Sequence, residues 1–245
     1  MSTRPLKPDY GIDAPGVIRN LILIALAFPA LSWFVPILRI GPVIIQLRPS
    51  ALITAAICLV EAALMIVYSK RGKFRHRDRM LARVDWKGDE SVLDVGTGRG
   101  LLMIGAAKKL STGKAVGIDI WSAKDLSGNA LEKTLLNAAI EGVRDRVAVQ
   151  SGDATAINFP DGSFDVVLSN LCLHNIPTRA ARDKACREIL RVLKPGGKAI
   201  ISDFIRTADY AKALEGAGAE VSRSGVDVLA TFPPLRIAEV RKPPA

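Results

Sequence analysis

Cysteine is sparse in this 245-residue chain. Cys58, Cys172 and Cys186 are the only three, and none forms a CxxC pair. That excludes a disulfide scaffold and a cysteine-rich zinc module, and it fits a reducing compartment. Histidine is rarer still, with only His76 and His174, and no metal site is expected. Internal repeats and low-complexity tracts are absent. So is the low hydrophobicity of a disordered chain, because 49% of residues are hydrophobic. Acidic residues are the minority charge, 24 against 34 Lys+Arg, for a formal net charge of +10. A balance this basic suggests nucleic-acid binding, so the position of the charge decides its meaning.

The charge is unevenly placed. Residues 1–85 hold 12 Lys+Arg and 5 Asp+Glu, whereas residues 86–245 hold 22 and 19. Between Ser69 and Asp85 alone lie Lys70, Arg71, Lys73, Arg75, Arg77, Arg79 and Arg83 against Asp78 and Asp85. The larger part of the chain is only mildly basic, which disfavours a nucleic-acid partner.

Two apolar runs precede that basic stretch. Asn20 to Leu38 carries no charge, and Pro49 to Ser69 carries only Glu61. A bilayer-spanning helix needs about 20 apolar residues, since about 30 Å of hydrocarbon is crossed at ~1.5 Å per residue. Both runs qualify, and they predict spans over 17–38 and 49–69. Pro29 and Pro36 are expected to kink the first, and Glu61 stands in the middle of the second. A cleaved signal peptide leaves the second run unexplained, with no small-x-small cleavage site between the two. A buried pair of soluble helices is the remaining alternative. The Lys/Arg bias keeps the basic stretch on the cytosolic side, and an even number of spans puts the N-terminus, with Arg4 and Lys7, there too. The short loop with Arg39 and Arg48 then faces out. The expected organisation is a membrane anchor over 1–69, a basic juxtamembrane helix or linker over 70–85 whose Lys70 to Arg83 stretch meets anionic headgroups, and a catalytic domain over 86–245.

Beyond the basic stretch the pattern changes. Apolar runs at 91–95, 114–119, 146–150, 164–169 and 198–204 alternate with helical segments near 99–110, 129–141, 178–193 and 208–217. Two last strands are expected near 219–224 and 235–241. Continuous apolar strands alternating with helices indicate a parallel sheet covered on both faces. Such sheets bind ligands at the carboxyl ends of their strands.

The most informative stretch is Val92 to Gly100, VLDVGTGRG. An apolar strand ends in Asp94, and Gly96, Gly98 and Gly100 follow before an amphipathic helix. Bare glycine backbone and a helix start suit close approach of a ligand. The spacing GxGxG, with Leu101 next, argues against a dinucleotide, which needs GxGxxG. Asp119 ends the second strand, where a carboxylate can accept from both hydroxyls of a ribose. Ile120 and Trp121 offer flat apolar surface for a purine, with core packing as the other role for Trp121. Asp153 follows the third strand and can meet a purine amino group. Asn170 to His174 lies at the end of the fourth strand, and Lys194-Pro195-Gly196-Gly197 leads into the fifth.

On these residues the chain resembles the class I S-adenosylmethionine-dependent methyltransferases, specifically the small-molecule branch with the ubiquinone and menaquinone C-methyltransferases. The resemblance covers about residues 80–242. It implies an α/β, Rossmann-like, seven-stranded sheet of order 3-2-1-4-5-7-6 with helices on both faces, here preceded by two transmembrane helices. It implies S-adenosyl-L-methionine as cofactor, its methionine part held by Asp94, Gly96, Thr97, Gly98 and Gly100. By the same resemblance Asp119 binds the ribose, Ile120 and Trp121 flank the adenine, and Asp153 with Ala154 meets its amino edge. Asn170 and Leu171 then line the methyl-transfer site.

One departure narrows the acceptor. Methyltransferases of nucleobase or amide nitrogen carry Asn/Asp-Pro-Pro-aromatic at the fourth strand, and this chain has Asn170-Leu171-Cys172-Leu173. No sizeable insertion follows Phe204 to form a lid, so the apolar hairpin and the basic helix are expected to cover the site. His174 sits where a general base for the acceptor's proton belongs, with a structural role in the loop as the alternative. Cys172 reads as a core residue. The expected activity is methyl transfer to a small, lipid-soluble acceptor such as a quinone, isoprenoid or lipid headgroup. A water-soluble acceptor and a non-catalytic cofactor-binding scaffold are the alternatives.

Overall fold

The computed structural model describes residues 6–244; Arg4 lies outside them. Helix α1 (Pro15–Phe34), a hairpin of β1 (Ile37–Ile40) and β2 (Val43–Gln46), and helix α2 (Leu47–Val67) form the N-terminal part. A π turn over Tyr68–Gly72 joins α2 to α3 (Lys73–Leu81), so that one continuous helix runs from Leu47 to Leu81. By length and composition, this helix and α1 are both able to cross a membrane. The catalytic part follows with β3 (Ser91–Val95), α4 (Leu101–Ala107), β4 (Lys114–Asp119), α5 (Leu131–Ile140), β5 (Val147–Ser151) and β6 (Phe164–Asn170). It ends with α6 (Arg179–Val192), β7 (Leu193–Asp203), α7 (Thr207–Glu215), β8 (Glu220–Arg223) and β9 (Arg236–Arg241).

The hairpin corrects the expected bounds. Pro36 has no N–H and disfavours a helical conformation in Val35, so α1 stops at Phe34 instead of reaching residue 38. Ile37 and Leu38 pair with Gln46 and Ile45, and the loop expected around Arg39 is a β-ribbon. Pro29 stays inside α1, where Ser32 Oγ donates to the Pro29 carbonyl at 2.8 Å. Along α2 the residues facing α1 are small: Ala51, Ala55, Cys58 and Ala62 recur every three to four positions and are all buried. Small side chains on one stripe let the two backbones approach. Around the rest of both helices, apolar side chains such as Leu23, Leu31, Ile53 and Val60 point outward, and Trp33 is 71% exposed.

The basic stretch is a packed helix, not a free linker. Met80, Leu81 and Val84 share a core with Val92, Leu102, Met103 and Ile104. Lys73 is buried, its ammonium donating to the carbonyls of Tyr10 at 2.7 Å and Gly11 at 2.8 Å, with Asp13 at 3.5 Å. Arg79 pairs with Asp227 and Arg83 with Glu239. Arg77 pairs with its neighbour Asp78 at 2.8 Å, which leaves Lys70, Arg71 and Arg75, of the cations expected to face headgroups, exposed without a protein ion pair among the described residues.

The sheet order is β5-β4-β3-β6-β7-β9-β8. Numbered within the sheet, that is the expected 3-2-1-4-5-7-6. All neighbours are parallel except β9, which runs antiparallel to β7 and β8. Period-two alternation divides the core: Val92 packs toward α3 and α4, while Leu93 and Val95 pack toward α6 and α7. Strand order reverses at β3, which lies between β4 and β6, and the crevice therefore opens above its carboxyl end.

Replacing Lys73 by Met should destabilise the detergent-solubilised protein by about 2 kcal/mol or more, because two buried carbonyls and Asp13 lose their charged partner. Lys70→Met, at an exposed position, should shift the thermal midpoint little. A Lys73→Met midpoint equal to wild type would contradict the packing described.

Candidate active site

The chain leaves β3 through three glycines with left-handed backbone: Gly96 (φ 74), Gly98 (φ 54) and Gly100 (φ 86). Gly96 also permits a close approach, since a Cβ there would lie 2.4 Å from Cys172 Sγ on the turn after β6. Asp94 is buried at the end of β3. Its Oδ2 accepts from Thr97 Oγ1 at 2.8 Å and from Met103 N at 3.0 Å, while Oδ1 has no partner. Burial pushes the Asp94 carboxyl up to about 7, against the lowering effect of those two hydrogen bonds. Asp119 closes the adjacent strand. Its Oδ2 accepts from Gly98 N at 2.7 Å, and its Oδ1 accepts from Trp121 N at 2.6 Å and Asn129 Nδ2 at 3.2 Å.

These groups surround a cavity of about 780 Å³ that is lined by Asp94, Gly96, Thr97, Gly98, Asp119, Ile120, Asp153, Ala154, Asn170, Leu171 and His174. Gly100 lies under its floor as the N-cap of α4. The indole of Trp121 stands apart: its backbone is left-handed (φ 62), and Nε1 donates to Ser151 Oγ at 2.9 Å, outside the lining. The lining fits S-adenosylmethionine. Bare glycine backbone leaves room, and an unpartnered carboxylate oxygen on Asp94 suits a cationic ligand. Asp119 keeps one lone pair on Oδ2 free for a ribose hydroxyl. When bound, that cofactor supplies an electrophilic methyl group on sulfur.

At the other side of the crevice, β6 ends in Asn170, and Leu171 takes a left-handed conformation (φ 52) with its N–H donating to Ser202 O at 2.9 Å. His174 follows in a short 3-10 turn. Its Nδ1 lies 2.9 Å from Oδ1 of Asp203, the last residue of β7 and only 1% exposed. A carboxylate can only accept, so Nδ1 carries the hydrogen and Nε2 is left as the acceptor. Asp203 is itself held by N–H groups of His174 and Phe204 and by the Tyr210 hydroxyl. The Phe204 ring stands edge-on to the imidazole at 4.8 Å. A histidine oriented in this way is equipped to take a proton from a bound acceptor. Burial raises the Cys172 thiol pKa far above its usual range, which keeps it a protonated packing group.

Sequence reasoning missed Asp203, although it sits where Asp94 and Asp119 sit, at the end of an apolar strand, and that pattern was the available signal. It also missed residues 9–14, which cross the crevice as a strap. Ile12 O accepts from Ser127 N at 3.0 Å and Ile12 N donates to Ser127 Oγ at 2.7 Å, Ala14 N donates to Asp125 O at 2.8 Å, and Asp9 is held by Asn137 and Arg99. Tyr10, Asp13 and Ala14 line the cavity, as do Val17 of α1 and Met65 and Tyr68 of the α2 end. No local pattern marks these residues, because only the folded neck brings them to the sheet edge.

Residues 93–201 match the family model described as a methyltransferase domain. The demethylmenaquinone methyltransferase of Symbiobacterium thermophilum is 33% identical over 126 residues, covering 51% of this chain and 46% of that protein. A sterol 4-C-methyltransferase of Caenorhabditis elegans is 38% identical over 120 residues, covering 49% and 33%. The chain thus spans about half the length, or less, of these curated relatives. Among solved structures, a SAM-dependent methyltransferase from Aquifex aeolicus superposes with a TM-score of 0.54 at 20% identity, covering 67% of this chain and 88% of that one. The cyclase SpnF superposes with a TM-score of 0.60 at 21% identity, covering 70% and 81%; likeness at that level establishes the fold and not the reaction.

Two outcomes test the cofactor geometry. Gly96→Ala should abolish cofactor binding in calorimetry, since both its φ and the Cys172 contact forbid a Cβ. Asp94 is protonated below about pH 7, and the cofactor is cationic. Its affinity should therefore fall toward tenfold per unit as pH drops below 7 and level off above. Asp94→Asn should flatten that profile, and a wild-type affinity constant from pH 5.5 to 8 would refute the role. Residues 93–201 thus form a domain matching the methyltransferase-domain model, and its cradle fits S-adenosylmethionine.

Proposed function

We propose that the protein is a membrane-anchored methyltransferase that moves a methyl group from S-adenosylmethionine to a small, lipid-soluble acceptor of the quinone, isoprenoid or lipid-headgroup class. The observation that carries this reading is the reach of a single cavity. Its lining includes both Asp94 and Asp119 of the sheet edge and Val17 and Met65 from the base of the two apolar helices. A helix that is apolar all round belongs in a core or a membrane. Here α1 and α2 bury little beyond their mutual stripe, so lipid is the medium that covers the rest. An acceptor dissolved in that lipid reaches the crevice along the helix bases, without crossing water. Relatives named for menaquinone and sterol methylation act on acceptors of this apolar kind.

In this reading Asp94, Gly96, Thr97, Gly98 and Gly100 hold the methionine part, Asp119 the ribose, and Ile120, Asp153 and Ala154 the adenine. Asn170 and Leu171 border the reacting methyl. As the methyl leaves sulfur for the acceptor, His174 takes the acceptor's proton at Nε2 while Asp203 holds the ring and balances its charge. Lys70, Arg71 and Arg75 meet anionic headgroups at the cytosolic surface, which places the catalytic part and the N-terminus there.

Full-length protein in detergent, given methyl-labelled cofactor and either a membrane lipid extract or an aqueous metabolite extract, tests the reading. Label should enter the lipid fraction, and Asp119→Ala should abolish it. Label in the aqueous fraction alone identifies a water-soluble acceptor, and label in neither identifies a binding scaffold. His174→Ala should lower turnover about 100-fold or more with cofactor affinity unchanged. Unchanged turnover would assign His174 a structural role.

A further inference from the structure

The end of α2 carries an arrangement that neither cofactor binding nor the His174 dyad uses. The π turn Tyr68–Gly72 is a departure from regular helix of the kind that concentrates at functional positions. It buries Tyr68 at 4% exposure, with the residue lining the cavity. Room for the ring is built in: a Cβ on Gly72 would lie 2.6 Å from Tyr68 Cδ2, so any larger residue there displaces the ring.

The Tyr68 hydroxyl is buried, and among the described residues no group meets full hydrogen-bond geometry with it, although the Asn170 side chain lies within interaction range. Asn170 at the end of β6 neighbours it, and the Asn170 Oδ1 is likewise without a partner. His76 of α3 also neighbours Asn170 and is fixed by its Nε2 to Ser202 Oγ at 2.7 Å. A buried hydroxyl left unpaired is costly, and native proteins keep few of them. If Tyr68 served packing alone, phenylalanine would fill the slot without that cost. Tyr68 supplies a donor and Asn170 an acceptor, which together match one chemical group: a hydroxyl, which both accepts and donates.

We propose that Tyr68 Oη and Asn170 Oδ1 form the docking point for a ring hydroxyl of the methyl acceptor, so that the membrane-side helix also selects the substrate. The proposal rests on reading the cavity as the acceptor's site. It assigns α2 a second task besides anchoring: its last residues orient the acceptor against Asn170.

The test uses 2-naphthol and its oxygen-free analogue naphthalene as probes. Full-length protein in detergent, saturated with S-adenosylhomocysteine, is examined by equilibrium dialysis against matched protein-free micelles. Wild type should bind 2-naphthol about tenfold tighter than naphthalene. Tyr68→Phe should erase most of that preference with naphthalene binding and cofactor affinity unchanged, and Gly72→Ala should do the same by displacing the ring. Absence of a preference in wild type, or its retention in Tyr68→Phe, overturns the proposal. The broader functional reading fails differently: wild type then transfers no label to any lipid, while the naphthol preference and its dependence on Tyr68 persist.

Discussion

A buried ammonium sets the geometry of the whole molecule. Lys73 begins α3 directly beneath the π turn, and its three donors reach the Tyr10 and Gly11 carbonyls and the Asp13 carboxylate. A charge at this depth has to be matched on every side, so three segments must meet around it: the N-terminal strap, the foot of α2 and the first turn of α3. Ser69 reinforces the joint, accepting from Asp13 N and donating to Asp13 Oδ2. Because the strap ties to residues 125–127 and α3 packs under α4, the apolar helices are held rigidly to the crevice.

That rigidity gives the active-site edge two flanks of different origin. One is the inherited sheet edge, where Asp94, Asp119 and Asp203 each terminate an apolar strand. The other is the neck, which contributes Tyr68, His76 and the strap. The two histidines of the chain stand on neighbouring residues of the same strand end, His76 on Ser202 and His174 on Asp203. They meet there from opposite directions in sequence, one from α3 and one from the turn after β6. A crevice assembled in this way needs no inserted lid, since the ends of the apolar helices and the strap line that place.

The charge balance also takes on a different meaning. In the chain the stretch from Ser69 to Asp85 reads as a free basic patch for headgroups. In the fold, Lys73 is consumed by the neck, while Arg79 and Arg83 hold the β8–β9 end through Asp227 and Glu239. Three cations, Lys70, Arg71 and Arg75, remain turned outward. The same helix face thus divides its charges between the domain it packs on and its exposed side.

Much of this protein is legible without coordinates. Strand runs over 91–95 and 114–119, the glycine turn and the carboxylates at strand ends follow from local pattern, because each strand's burial and each turn's backbone is dictated by residues adjacent in sequence, whereas the sheet order follows only from the family resemblance. The stop at Phe34 was legible too, had Pro36 been weighed above hydropathy. The strap, the Tyr68 slot, the place of Trp121 outside the cavity and the partnership of His174 with Asp203 were not. Those depend on contacts across 29 to more than 100 positions, for which a single sequence holds no local signal. Local periodicity determined the sheet, the two apolar helices and the cofactor cradle. Only tertiary packing around a buried lysine decided that the apolar helices end inside the active site.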